Sequence, residues 1–251
     1  VMSSGAQYVN GGTGTVSTMS GGSQTIKDGG TGTVSTMLSG TQSISNGGVG
    51  SALGVLGGQQ LINSGGIGYV ESLTSNQVIS SGGTGIIETI AAGETWTLTA
   101  GQTGIANSMS GSQVIASGAV GSALGILGGQ QLINSGGIGY VESLTSNQVI
   151  SSGGTGIIET ITAGEIWTLT AGQTGIANSM SGGTQVMSGG TGTIDTMNNG
   201  LQWLFSGGTG TIDVMHDGMQ DIRSGGTGTI DTMNAGSQFI ASGGTGTVDI
   251  M

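Results

Sequence analysis

The chain has 251 residues with 57 glycines, no proline, no cysteine, 3% aromatic and 6% charged residues, and a formal net charge of −11. Glycine at this level without a Gly-X-Y period excludes collagen, and the lack of cysteine excludes a disulfide framework and thiolate metal sites. Only Lys27 and Arg223 are cationic, which excludes nucleic acid as a partner and disfavours anionic membrane surfaces.

Along the chain no apolar run approaches the roughly 20 residues of a membrane helix, and the opening "VMSSGAQYVNGG" lacks the basic start and apolar stretch of a signal peptide. The first recognisable unit is "NGGTGTVSTM" at residues 10–19, and it returns as "SGGTGTIDTM" at 188–197 and 224–233. Taking the residue that follows each corner dipeptide as a marker (Thr13, Thr31, Val49, Ile67, Thr84, Thr103, Val120 and onward to Thr245) gives 14 units spaced by 17 to 19 residues. A longer period overlies this one. Residues 49–119 return almost letter for letter as 120–190, a duplicated four-coil block, while the outer coils follow a plainer consensus. The whole of residues 1–251 reads as a single repeat array cut from a longer chain.

Three columns of the aligned units are apolar throughout. Val16, Val34, Ala52 and Val70 open the first, which runs on through Ile194, Ile212 and Ile230 to Val248. The second holds Met19, Met37, Val55, Leu73, Ile90 and Met109, ending at Met251; the third holds Ile26, Ile44, Ile62, Ile79, Leu98 and Ile240. Apolar stretches this short, punctuated by "GG", "NG", "DG" and "SG", are strands turning at corners, since amphipathic helices need ten or more residues. An 18-residue coil with three inward columns predicts an all-β fold, a parallel β-solenoid of about 14 coils, each stacked on the next about 4.8 Å away. One polar column recurs almost as faithfully: Gln24, Gln42, Gln60, Gln77, Gln113 and so on to Gln238, replaced only by Trp96 and Trp167. It stands two residues before the third apolar column and therefore on the same face, where stacked amides would register the coils.

The consensus "SGGTGTVSTM…GGSQTI" resembles the passenger repeats of AIDA-type self-associating autotransporter adhesins, with their "GG-T" corner, "Q-x-V/I" strand and serine/threonine-rich flanks every 18 or 19 residues. The resemblance covers the whole chain. It implies a right-handed β-helix displayed on a Gram-negative cell surface by a C-terminal membrane barrel, a role in adhesion or autoaggregation, and in some members glycosylation of serine and threonine.

Other chemistries fit less well. "GGTGTIDTM" is close to the calcium-binding nonapeptide G-G-x-G-x-D-x-U-x, but Asp195, Asp213 and Asp231 arrive one residue late, and one residue turns a side chain to the other face. With Asp249 these aspartates form an outward acidic column, a weak cation ladder at most; Glu71 with Glu88 and Glu142 with Glu159 are shorter versions. Thr-x-Thr pairs such as Thr13/Thr15 resemble an ice-binding face, but "VGS", "IGY" and "TGI" interrupt it in the middle coils. No unit is long enough to build a catalytic cleft, and His216 beside Asp217 is a surface pair, so no enzyme and no cofactor is expected. The reading is an extracellular adhesive or biofilm solenoid on a bacterial surface, with Thr15, Thr33, Thr193, Thr211, Thr229 and Thr247 as its self-association face. Its partners would be homotypic rods on neighbouring cells or surface glycans, and this segment does not insert in a membrane. The alternative is a passive stalk or filament subunit.

Overall fold

The computed structural model describes residues 1–72, 77–143 and 148–251. The chain forms two compact units, Val1–Gln130 and Gln131–Met251, each carrying seven of the fourteen marker strands. In the first unit these strands run from Thr13–Lys27 and Thr31–Ile44 to Val120–Ile126; in the second they run from Ile138–Ser143 to Thr227–Met233 and Thr245–Ile250. Pairing is parallel, and each residue meets its own equivalent one coil later, as in Thr13↔Thr31 and Gly14↔Gly32 of the first unit or Thr209↔Thr227 and Ile212↔Ile230 of the second. No helix occurs among the described residues. The fold is a parallel β-solenoid of about 13 turns, the number of coil-to-coil steps between fourteen repeats.

Two glycine positions make the coil. At the corner Lys27–Gly30 the Gly30 N–H donates to the Lys27 carbonyl at 2.9 Å, with Asp28 at φ 54° and Gly29 at φ 79°. Two consecutive positive φ values form a tight turn of the primed type, which glycine and short polar residues adopt at least cost. The corner peptides also join the stack: Gly47 N–H donates to Gly65 O at 2.7 Å, and Gly101 N–H donates to Gly118 O at 2.8 Å. The ladder is thereby carried around the bend and the turn leaves no edge of unpaired groups there.

The other position is the glycine one residue after the marker, where the constraint is space. A Cβ on Gly32 would lie 2.3 Å from Ile26 Cδ1 and 2.9 Å from Gln24 Oε1; on Gly210 it would lie 2.5 Å from Leu204 Cδ2 and 2.7 Å from Gln202 Oε1. The marker strand therefore folds flat over the isoleucine and glutamine of the preceding strand.

The three apolar columns fill the interior of each unit as expected. Val34, Ala52, Ile87 and Ala106 of the first column are fully buried, as are Met19, Met37, Ile90 and Met109 of the second and Ile26, Ile44, Ile62 and Leu98 of the third. Leu73 lies outside the described residues. The final coil departs from the inward expectation: Met251 is 89% exposed, Ile240 is 45% exposed and Val248 is half-buried. Within the array each coil is covered by its successor. Burial of one such side chain is worth about 1.5–3 kcal/mol, so stability accrues coil by coil through nearest neighbours.

Ile212 is fully buried between its register partners Ile194 and Ile230, whereas Asp213 faces outward. Ile212→Asp should destabilise the second unit by about 3 kcal/mol or more through an unpaired buried carboxylate, while Asp213→Ala should be neutral or slightly stabilising; denaturant unfolding of the two variants checks the inward phase. Gly210→Ala, at a position without positive φ, should cost about 1–3 kcal/mol by pushing Gln202 and Leu204 aside.

Candidate functional site

The glutamine column is an inward amide ladder with a single sense. In the first unit Gln24 Nε2 donates to Gln7 Oε1 at 2.7 Å, Gln42 to Gln24 at 2.8 Å, Gln60 to Gln42 at 2.7 Å and Gln77 to Gln60 at 2.7 Å. In the second, Gln148 donates to Gln131 at 2.8 Å, Gln202 to Gln185 at 2.9 Å, and Gln220 to Gln202 and Gln238 to Gln220 at 2.7 Å each. The second amide hydrogen reaches backbone carbonyls; Gln60 Nε2, for example, lies 3.2 Å from Tyr69 O. Gln24, Gln42, Gln185, Gln202 and Gln220 are fully buried, so the ladder binds coils to one another and presents nothing to a ligand. Gln7 is a member that the repeat count passed over.

The two tryptophans interrupt it. Trp96 and Trp167 are buried where a ladder amide belongs, and the indole has no acceptor. Among the described residues Gln77 Oε1 and Gln148 Oε1, one coil before each tryptophan, have no donor, and Gln185 Nε2, one coil after Trp167, has no acceptor. The indoles lie over the close-approach glycines: a Cβ on Gly104 would be 2.7 Å from Trp96 Cη2, and one on Gly175 would be 2.6 Å from Trp167 Cη2.

The outward columns are the accessible chemistry. Asp195, Asp231 and Asp249 are exposed and Asp213 is half-exposed, all in one register column. Desolvation first, and then the charges of Asp195 and Asp231, push the Asp213 carboxyl above its ordinary pKa. No group of three or more His, Asp or Glu side chains among the described residues is arranged to hold a metal ion. The acidic column of the duplicated block is built differently. Tyr69 OH donates to Glu88 Oε2 at 3.3 Å and Asn107 Nδ2 donates to the same oxygen at 2.6 Å; the second copy repeats this with Tyr140, Glu159 and Asn178 at 3.0 and 2.6 Å. Burial, followed by the glutamate, raises both tyrosine pKa values. These glutamates are bridged by donors from neighbouring coils, a contact invisible in a column-by-column alignment.

Thr15 and Thr247 are exposed, whereas Thr33, Thr193, Thr211 and Thr229 are half-covered by their stacked equivalents. In the outer coils the marker threonines Thr13, Thr31, Thr191, Thr209, Thr227 and Thr245 are exposed and form the more open hydroxyl row, whereas Thr84, Thr103, Thr155 and Thr174 of the middle coils are half-buried. His216 and Asp217 do not face each other's chemistry: Asn234 Nδ2 lies 3.1 Å from His216 Nδ1, and Asp217 Oδ1 accepts the Gly218 N–H at 2.8 Å.

A further surface feature of the second unit went unread in the sequence. Trp203 and Phe205 pack edge to face with ring centroids 6.4 Å apart, the Arg223 guanidinium lies 5.7 Å from the Phe239 centroid, and Asp221, 3% exposed, holds Arg223 through Oδ2. Trp203, Phe205, Arg223, Ser224, Ala241 and Ser242 line a pocket of about 510 Å³. The available signal was compositional: both phenylalanines of the chain and the one tryptophan outside the ladder fall within these coils.

No protein-family model matches the chain, and no curated protein is significantly similar to it. Among solved structures it is similar to the crystal structure of a TibC-catalysed, hyper-glycosylated TibA fragment, with 21% identity over 94% of this chain and 97% of that one and a TM-score of 0.47. Likeness at that level assigns neither a family nor an activity to this chain.

Gln202→Leu removes a donor and an acceptor from the middle of a buried ladder and should destabilise by about 1–3 kcal/mol, read as a shift in the unfolding midpoint. Asp213 gives a pH signature. A carboxyl whose folded pKa is raised binds its proton more tightly in the native state, so its contribution is unfavourable at neutral pH and is relieved as pH falls through the folded pKa. Asp213→Asn should therefore be as stable as wild type or slightly more stable at neutral pH, and that advantage should shrink on acidification; thermal midpoints of both proteins across the acidic range check this.

Proposed function

We propose that the chain is an extracellular adhesive solenoid of a bacterial surface that acts through lateral association with copies on neighbouring cells, as in autoaggregation and biofilm formation, rather than an enzyme. What supports this reading is the pair of outward threonine columns held in strict register, Thr209↔Thr227 with Thr211↔Thr229 and Thr191↔Thr209 with Thr193↔Thr211. A hydroxyl row at strand spacing offers many equivalent hydrogen-bond groups. Each contact contributes roughly 1 kcal/mol net, and many made in register add through multivalency. The same exposed serines and threonines are the acceptors for any glycosylation, as the resemblance to AIDA-type passengers implies. A chain of net charge −11 repels its own copies, and the acidic columns set that repulsion.

Association should strengthen as salt rises to a few hundred millimolar and the Debye length falls well below about 10 Å. Changing Thr193, Thr211, Thr229 and Thr247 together to Asp should weaken association without unfolding the protein, as measured by sedimentation and light scattering over a salt series. A protein that stays monomeric at every salt and concentration, with its surface glycans in place, leaves the passive stalk as the function.

A further inference from the structure

Two outward columns change character over the strands Thr191–Leu204, Met219–Ile222 and Ser237–Ile240. The column one residue past the ladder glutamine holds Thr25, Ser43, Leu61, Val78, Thr97 and Val114 in the first unit. Here it holds Trp203, Asp221 and Phe239, stacked in register. Two residues further along each strand, where the first unit has Ser45, Asn63 and Ser80, stand Phe205, Arg223 and Ala241. Elsewhere these positions hold a single ring, Tyr8, and a single cation, Lys27, and otherwise aliphatic or small polar residues, so the coil itself does not require rings or a cation there. Nor does burial explain the two rings within the array: Trp203 and Phe205 remain 36% and 38% exposed.

The one buried member of the group is Asp221, and it is costly. Its Oδ2 is paired with Arg223, while Oδ1 has no partner among the described residues. A valine or threonine in that column would avoid the desolvation of a carboxylate. What the aspartate achieves is to fix the guanidinium across the Phe239 ring, which also receives a cation–π contact. The result is a preset, largely apolar pocket with aromatic walls at Trp203 and Phe205, a held guanidinium, and the serines Ser224 and Ser242 in its lining.

We propose that this pocket binds a neutral pyranose of a glycan. Its volume of about 510 Å³ is that of a small-ligand site, whereas a stable protein partner needs about 800 Å² of contact per side, beyond what six residues offer. An aromatic wall takes the C–H-rich face of a sugar ring, and its hydroxyls find the guanidinium and the serine hydroxyls. Charge selects a neutral sugar: Arg223 is already neutralised by Asp221, and a chain of net charge −11 opposes the approach of a polyanion. The proposal rests on the adhesive reading only for its biological use; the pocket lies on different columns from the threonine rows.

The test uses the whole chain and three neutral probes, methyl β-galactopyranoside, methyl β-glucopyranoside and methyl α-mannopyranoside, followed by saturation-transfer NMR and by titration. At least one probe should receive saturation on its ring C–H protons, with millimolar affinity. Trp203→Ala should weaken binding at least about tenfold, or about 1.4 kcal/mol. Trp203→Leu should lose as much although it preserves apolar surface, and Trp203→Tyr should restore binding to within about threefold of wild type. Far-UV circular dichroism confirms that each variant is folded, and the fourfold threonine variant should bind the sugar as wild type does, which separates this site from self-association. The proposal falls if none of the three probes binds, if Trp203→Leu binds as well as wild type, or if Trp203→Ala abolishes association between copies while no sugar binds.

Discussion

A buried primary amide must find partners for two donors and an acceptor, and in this protein the partners lie one coil away. Gln42 gives a hydrogen to Gln24 and takes one from Gln60, at 2.8 and 2.7 Å. That exchange works only if successive coils keep one register, and the register in turn brings Ile26 over Ile44 and Val16 over Val34. The glutamine also dictates the glycine of the following strand, since a methyl on Gly32 would collide with Gln24 Oε1 and Ile26. Amide, isoleucine and glycine are thus one unit of packing, and the 18-residue repeat is the shortest description of it. Hydrophobic burial supplies most of the stabilisation, but it is indifferent to a slip between coils of similar shape. The amides are not, because a slip leaves buried polar groups unpaired at a cost of about 1–3 kcal/mol each.

Against that background Trp96 and Trp167 stand out as sites where the rule is broken. Each substitutes apolar volume for ladder hydrogen bonds, and among the described residues neighbouring amide atoms have no partner, Gln77 Oε1 in one copy and Gln148 Oε1 with Gln185 Nε2 in the other. The duplication carried the defect along with the block, as it carried the Tyr69–Glu88–Asn107 bridge, whose second copy at Tyr140–Glu159–Asn178 has nearly the same geometry. Around the tryptophans the coils are still joined by the backbone ladder and by these tyrosine–glutamate–asparagine bridges, but the buried amide contribution to stacking is missing.

The interior of each unit was legible in the sequence because it repeats. A period of two within strands and of 17 to 19 between them fixes which residues share a face, so Ile212 inward and Asp213 outward followed from phase alone. Gln7 was missed although "AQYVNGGTG" parallels "SQTIKDGGTG", because it precedes the first full unit. The relative exposure of the two threonine columns was not legible, since it depends on how closely each strand approaches its stacked copy after the corner. The aromatic pocket was missed for a related reason. Alignment of repeats rewards what recurs, and Trp203, Asp221, Arg223 and Phe239 are departures from the consensus whose meaning lies in their adjacency across three coils.

The amide ladder has a direction: in each of these glutamine pairs the side chain of the later coil donates to that of the coil before it. Aligned amide dipoles add, as peptide dipoles do along a helix, so each uninterrupted stretch is a buried electret with a donor pole and an acceptor pole. Its length is capped, since the stretch from Gln7 to Gln77 ends at Trp96 and a new one begins at Gln185 after Trp167. One amide turned about its terminal bond would set oxygen against oxygen on one side and N–H against N–H on the other. The sense taken by one glutamine is therefore imposed on the next, coil by coil, along each stretch.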